Sequence, residues 1–268
     1  MGRFDGFLFC VDCDGTLTNR KGEITPKNVE AILEFQKAGG LFTFASGRFP
    51  QYIKRFFPYF KPNTYQIMGN GTTIYDVFEE RIVEEATIPI TPEPVRHISL
   101  KDDCIVLYIN YREHSRFWLH PGEMPPWGEL REYTNNIEDL FIPDEEPWHK
   151  VDFIFKSPEK ALETRKEMQV LYPMFQFVRG WERGVELLPM EGGKGNALVR
   201  LKTMLGDKIH TVIAAGDYEN DISMLEVADV GYAVENACPE CKEAADKITV
   251  SCDEDAIYTI LEEWKKKL

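Results

Sequence analysis

Residues 7–16 read Phe-Leu-Phe-Cys-Val-Asp-Cys-Asp-Gly-Thr: five apolar residues run straight into two aspartates and a glycine turn. A short, unbroken apolar run fits a strand buried on both faces, as in the middle of a parallel sheet. Working outward, 26–38 reads as a helix with Thr25 as N-cap, Pro26 at its first position, an apolar face of Val29, Ile32, Leu33 and Phe35, and Gly39 as stop. Residues 41–45 form a second strand, 50–57 a helix broken by Pro58, and 65–68 a third strand. Short strands joined by helices imply parallel pairing with right-handed crossovers. The alternation resumes near the other end, with helices over 196–205, 221–228, 239–246 and 254–267 and strands over 210–215, 230–234 and 248–251. The expected fold class is α/β, a doubly wound, mostly parallel, Rossmann-like sheet.

The middle of the chain departs from this rhythm. A hairpin-like pair, 72–77 and 81–86, is followed by Pro89, Pro92 and Pro94, then by strands over 105–111, 151–156, 175–181 and 185–188 and a helix over 158–171. Residues 121–147 are rich in proline and acids, include Trp127, and carry no clear period. The segment is read as an inserted α+β cap domain, 88–189, with 1–87 and 190–268 forming the core and 190–193 a flexible return linker.

With 268 residues, 43% of them apolar, the chain is long enough to bury one large core or two smaller ones. Its longest apolar run, 104–109, is far short of the roughly 20 residues of a membrane helix. The N-terminus has no signal-peptide pattern, so the expectation is a cytoplasmic protein. A net charge of −14 argues against nucleic acid and against anionic membrane as partners. An anionic ligand must therefore be drawn locally, by a metal ion or a few placed cations. Six cysteines in such a chain read as reduced thiols. The pairs Cys10/Cys13 and Cys238/Cys241 make a poor zinc site: the first straddles both faces of a strand, and Pro239 marks a helix start inside the second.

Four loops carry the chemistry. Asp12 and Asp14 end the first strand, on the same side of an extended chain, where doubly wound sheets gather ligands. Like charges so close repel unless a cation joins them or one is protonated, although an Asp-Gly turn alone also accounts for Asp14. Gly216-Asp217-Tyr218-Glu219-Asn220-Asp221 leaves the strand 210–215 in the same way. Capping explains Asn220 or Asp221 there but leaves Asp217 unexplained. Carboxylates converging from two strand ends make a hard oxygen site suited to Mg²⁺. Ser46-Gly47-Arg48 follows the second strand and offers a hydroxyl and backbone amides to an anion, and Lys194, just before the helix 196–205, reaches a phosphate freely.

In this order the pieces resemble the haloacid dehalogenase superfamily of phosphatases and phosphotransferases. Asp12-x-Asp14-Gly15-Thr16 is similar to its first motif, Ser46 to the second, Lys194 to the third and Gly216-Asp217-x-x-Asn220-Asp221 to the fourth. The long insertion between motifs two and three, with Gly69-Asn70-Gly71 just before it, is similar to the Cof-type subfamily and its cap. The resemblance implies an Mg²⁺-dependent phosphatase of small phosphorylated metabolites, sugar phosphates above all, working through an aspartyl-phosphate. Asp12 would be the nucleophile and Asp14 the acid and base. Ser46, Gly47, Lys194 and Asn220 would bind phosphate, and Asp12, Asp14 (through its carbonyl), Asp217 and Asp221 would serve the metal. Arg48 would be a supporting residue. Dehalogenases of the superfamily lack the second acid, so Asp14 favours phosphoester chemistry. Caps of this kind lid the site, which implies a small-molecule phosphate ester and a monomer or homodimer. Asn110, Arg179, Trp181 and Arg183 are loose specificity candidates, each more readily an ordinary surface residue. The alternatives are a phosphomutase of the phosphomannomutase type, a receiver-like phospho-acceptor module, which this length disfavours, and a non-catalytic sugar-phosphate sensor.

Overall fold

A computed structural model of the chain describes residues 2–112, 114–126, 128, 132–141 and 146–268, so Trp127 lies outside the described residues. The chain begins with β1 (Phe7–Val11), α1 (Pro26–Lys37), β2 (Leu41–Phe44), α2 (Pro50–Ile53), β3 (Gln66–Met68), β4 (Thr73–Asp76) and β5 (Arg81–Glu85). The inserted part holds α3 (Pro92–Ser99), β6 (Cys104–Asn110), β7 (Ser115–Leu119), β8 (Lys150–Phe155), α4 (Pro158–Leu171), β9 (Phe175–Val178) and β10 (Gly184–Pro189). The chain closes with α5 (Lys194–Leu205), β11 (Thr211–Gly216), α6 (Ile222–Val227), β12 (Val230–Ala233), α7 (Pro239–Ala244), β13 (Lys247–Ile248) and α8 (Ala256–Lys267). Two compact units result, Met1–Glu84 with Gly193–Leu268, and Glu85–Gly192.

In the first unit a five-stranded parallel sheet runs in the order β13-β12-β11-β1-β2. Every residue of β1 is buried, which is why the sequence there is uniformly apolar. Phe7, Phe9 and Val11 pack into a layer with Ile32 and Phe35 of α1 and Ile257, Ile260 and Leu261 of α8. Leu8 and Cys10 face the opposite layer, with Ala197, Leu198 and Leu201 of α5 and Met224 and Leu225 of α6. Helices on both faces make the sheet doubly wound, and each fully buried Phe or Leu contributes roughly 1.5–3 kcal/mol. Helix α1 starts where Thr25 Oγ1 accepts the Asn28 N–H at 3.3 Å, with Pro26 at its first position.

Several expectations need correction. The third strand does not continue the parallel sheet. It touches it through one isolated bridge, Ala45 with Ile67, and belongs to the antiparallel sheet β3-β4-β5. Gly69–Gly71 turn the chain back at once, so β4 takes the edge of β3. The helix expected over 50–57 is one turn of α-helix tightening to 3₁₀ at Lys54–Phe56. The strand expected over 248–251 shrinks to Lys247–Ile248, and the last helix is preceded by a 3₁₀ turn and a left-handed Asp255 at φ 61°.

The second unit is an antiparallel sheet in the order β7-β6-β8-β10-β9. One face carries Leu107, Ile109, Val151, Phe153, Val185 and Leu187, packed with Val95 and Ile98 of α3 and Ala161 and Met168 of α4. Helix α3 was not foreseen, because its prolines read as breaks. They sit at the first and third helical positions, where a missing N–H costs nothing. Strand β7 was also missed. The return segment is held, not loose: Gln176 Nε2 donates to the carbonyls of Met190 at 2.6 Å and Gly192 at 3.0 Å.

Candidate active site

The parallel sheet places Asp12 one residue beyond β1 and Asp217 one residue beyond the adjacent β11, with the Asp12 N–H donating to Ala215 O at 2.9 Å. One carboxylate oxygen from each of Asp12, Asp217 and Asp221 lies within 4.8 Å of the others. Asp221 reaches this point because the chain turns tightly after β11. Its Oδ2 accepts the N–H groups of Asp217 at 3.0 Å and Tyr218 at 3.1 Å, so it caps the turn, while its Oδ1 faces Lys194. Thr16 Oγ1 donates to Asp217 Oδ1 at 2.9 Å and fixes that carboxylate. Gly15, at φ 88°, leaves room for it: a Cβ there would lie 2.7 Å from Asp217 Oδ2.

Lys194 is fully buried and bonds Asp12 Oδ1 at 2.6 Å and Asp221 Oδ1 at 2.5 Å. It is the first residue of α5, after Gly193 at φ 90°, rather than a residue ahead of the helix. Burial would discharge its ammonium, but Asp12 and Asp221 outweigh burial and hold its pKa above the ordinary lysine value. One cation does not balance three carboxylates. Burial, with Asp221 and Asp217 adding to it, pushes Asp12 well above the usual carboxylate range. Asp217 is pushed up to about 7 by burial and by Asp221. This pocket of hard oxygen donors, short of positive charge, fits a small divalent cation, the donor chemistry Mg²⁺ prefers.

Asp14 departs from that group. Its half-exposed carboxylate accepts Arg48 Nε at 2.7 Å on Oδ2 and the Tyr52 hydroxyl at 2.9 Å on Oδ1. The Arg48 guanidinium also lies 3.8 Å from the Tyr52 ring centre, and Arg55 lies 3.9 Å from it. Arg48, expected to be merely supporting, and Tyr52, not expected at all, thus fix the second acid. Tyr52 lies in the single turn of α2 that follows Arg48.

Ser46 is buried beside Cys13, and its Oγ accepts the Arg48 N–H at 3.2 Å. Cys13 packs into the apolar layer of α1 and α8, with Val11 and not with Cys10. Gly47 lies against the Asn70 side chain, and Asn220 Nδ2 donates to Asn70 Oδ1 at 2.9 Å. Asn70 is a further residue not assigned a role from sequence. All six cysteines are free, and among the described residues the aspartate group contains none of them. Of the candidates in the second unit, Asn110 and Arg179 are buried rather than on the surface. Asn110 Nδ2 donates to Asp152 Oδ2 at 2.5 Å, Arg179 Nη2 to Glu182 O at 2.8 Å, and Arg183 Nε to Phe155 O at 2.8 Å. Among the described residues, no helix is long and apolar enough to cross a membrane.

Comparison with known proteins places this geometry in context. The family model described as haloacid dehalogenase-like hydrolase matches residues 9–261. The 5-amino-6-(5-phospho-D-ribitylamino)uracil phosphatase YwtE of Bacillus subtilis is 27% identical, covering 94% of this chain and 96% of its own. The pyridoxal phosphate phosphatase YbhA of Escherichia coli is 24% identical, covering 93% and 95%. A crystal structure of a haloacid dehalogenase-like hydrolase from Bacteroides thetaiotaomicron is 26% identical, with a TM-score of 0.73, covering 96% of this chain and 98% of its own.

Proposed function

Since this chain belongs to the haloacid dehalogenase-like hydrolases, we propose that it is an Mg²⁺-dependent phosphatase that hydrolyses small phosphorylated metabolites, sugar and polyol phosphates foremost, through an aspartyl-phosphate. The observation that carries the reading is the convergence of Asp12, Asp217 and Asp221 around a buried Lys194 at the carboxyl ends of adjacent parallel strands. Relatives that cover nearly the whole chain bear the names of phosphatases of a ribityl phosphate and of pyridoxal phosphate, both small esters.

In this reading Asp12, Asp217 and Asp221, with the Asp14 carbonyl, would hold Mg²⁺, which would supply positive charge to shield the carboxylate from the phosphate. Asp12 attacks phosphorus, the bond to the ester oxygen breaks, and the departing alcohol takes a proton from Asp14. Asp14, now a carboxylate, then removes a proton from the water that attacks the aspartyl-phosphate, releasing phosphate and regenerating Asp12. The Ser46 hydroxyl, the Gly47 backbone, Asn220 and the Lys194 ammonium hold the phosphoryl oxygens as charge redistributes. Thr16 keeps Asp217 turned toward the cation, and Arg48 with Tyr52 fixes Asp14 between the two steps.

The test is release of inorganic phosphate from a panel of phosphorylated metabolites, with and without Mg²⁺. Turnover of sugar or polyol phosphates that vanishes on chelation is expected. No turnover of any phosphate monoester in the presence of Mg²⁺ overturns the reading.

A further inference from the structure

Gly69-Asn70-Gly71 lies between the second motif loop and the insertion, and the roles assigned above leave it unused. All three residues have positive φ, 58°, 54° and 83°. A left-handed backbone suits glycine, and among other residues asparagine tolerates it best. Asn70 is also completely buried. Its N–H donates to Ser46 O at 2.9 Å, and its own carbonyl accepts the Gly193 N–H at 2.9 Å. Its side-chain Oδ1 accepts Asn220 Nδ2 at 2.9 Å. These partners belong to three different loops, those that carry Ser46, Lys194 and Asp221.

The surroundings tighten the arrangement. The Gly69 N–H donates to Arg48 O at 3.0 Å, and Arg200 Nη2 donates to Gly71 O at 2.8 Å. A Cβ on Gly71 would lie 2.1 Å from Gly193 O, so the two segments meet backbone to backbone. We propose that Asn70 is a positioning residue for the site: one left-handed residue that registers the phosphate-binding and cation-binding loops against each other. The proposal rests on the phosphatase reading for the roles of those loops.

The residue type follows from the geometry. Glycine would supply the backbone conformation but no acceptor for Asn220. Aspartate would supply the acceptor but add a negative charge beside carboxylates already short of positive charge. Longer or β-branched side chains would be strained at this φ. Without Oδ1, the Asn220-Asp221 turn loses its tie to the second loop. The two Asp221 oxygens, one on Lys194 and one on the Asp217 and Tyr218 amides, then lose their fixed aim.

The experiment compares the full-length wild type with Asn70→Gly, which tolerates the left-handed backbone and deletes the side chain. Mg²⁺ affinity is measured by isothermal titration calorimetry, kcat and KM by phosphate release, and Tm by calorimetry. The variant is expected to bind Mg²⁺ about tenfold more weakly and to lose at least about tenfold in kcat/KM, with Tm lower by no more than about 5 °C. In an Asn220→Ala background the same change is expected to cost less than about twofold more, because the shared hydrogen bond is already gone. Mg²⁺ affinity of Asn70→Gly within twofold of wild type, or independent losses in the double variant, overturns the proposal. Should Asn70→Gly not fold, Asn220→Ala removes the same bond from the other side and is read by the same Mg²⁺ titration. A wild type that binds Mg²⁺ but hydrolyses no ester would sink the phosphatase reading alone, and the ratio of Mg²⁺ affinities would still decide the role of Asn70.

Discussion

Each unit buries one lysine between two carboxylates, and the two triads differ in what surrounds them. In the first, Lys194 bonds Asp12 and Asp221, and Asp217 brings a third carboxylate into the group. In the second, Lys150 bonds Asp152 of its own strand at 3.0 Å and Glu186 of the neighbouring antiparallel strand at 2.7 Å. There Asn110 donates to the remaining oxygen of Asp152. The second triad lies within β8 and β10, its members held by ladder registry. The first lies just beyond β1 and β11 and at the start of α5, its carboxylates carried by turns. Similar charges thus sit within an antiparallel sheet in one place and at the carboxyl ends of parallel strands in the other. The discriminating features are a surplus carboxylate and loop placement, not the presence of a buried ion pair.

The largest difference should be in turnover. Asp12→Ala is expected to lose at least about 10⁴-fold in kcat, whereas Asp152→Asn should stay within about threefold of wild type. Substantial residual turnover in Asp12→Ala would refute nucleophilic catalysis. Asp14→Asn comes next: a loss of about 10²–10⁴-fold in kcat with Mg²⁺ affinity nearly unchanged, since its side chain stands apart from the cation group. A normal rate in that variant would remove the acid–base assignment.

Stability separates the triads less dramatically. Lys150→Met strands two buried carboxylates and should cost about 3–5 kcal/mol in denaturant unfolding, with or without Mg²⁺. Lys194→Met should also be destabilised, but Mg²⁺ should restore part of the loss, because a divalent cation can replace the missing charge. Equal Mg²⁺ rescue of both variants would mean that the triads do not differ in the proposed way.

The smallest effect is on pH dependence. Asp217 and Asp152 are both pushed up to about 7, chiefly by burial, with Asp221 and Glu186 respectively adding to it. A carboxyl group whose folded pKa is raised holds its proton longer in the native state. Its contribution to stability is therefore complete below the unfolded value near 4 and is lost as pH rises through about 7. The Tm of metal-free protein should fall by a few degrees between pH 5 and pH 8. Asp152→Asn should remove part of that slope in the absence of Mg²⁺, and Mg²⁺ should remove the Asp217 part. A Tm that rises over this range without metal would reverse the assignment.

The central strand and α1 could be read because Phe7–Val11 is uninterruptedly apolar and Thr25-Pro26 announces a helix start. The spacing of Asp12, Asp217 and Asp221 along the chain gave their chemistry, since strand ends in such sheets collect ligands. Less visible was anything decided by a pairing partner. Strand β3 looks like any parallel strand until the turn at Gly69–Gly71 hands its edge to β4. Helix α3 was hidden by prolines that are harmless in a first turn, and the grip of Tyr52 on Asp14 depends on a side-chain direction that composition does not carry. Asn70 was hidden for the same reason, because its three partners lie 24, 123 and 150 positions away along the chain.

The double duty of Asp221 gives the protein a built-in spectroscopic reporter. One oxygen anchors the lysine, and the other receives the amide protons of Asp217 and Tyr218. An ion bound beside that carboxylate changes the electric field at those two amides. In a nuclear magnetic resonance titration, the amide signals of Asp217 and Tyr218 would then shift while those of the surrounding strand stay still, giving a direct view of ion capture that needs no substrate.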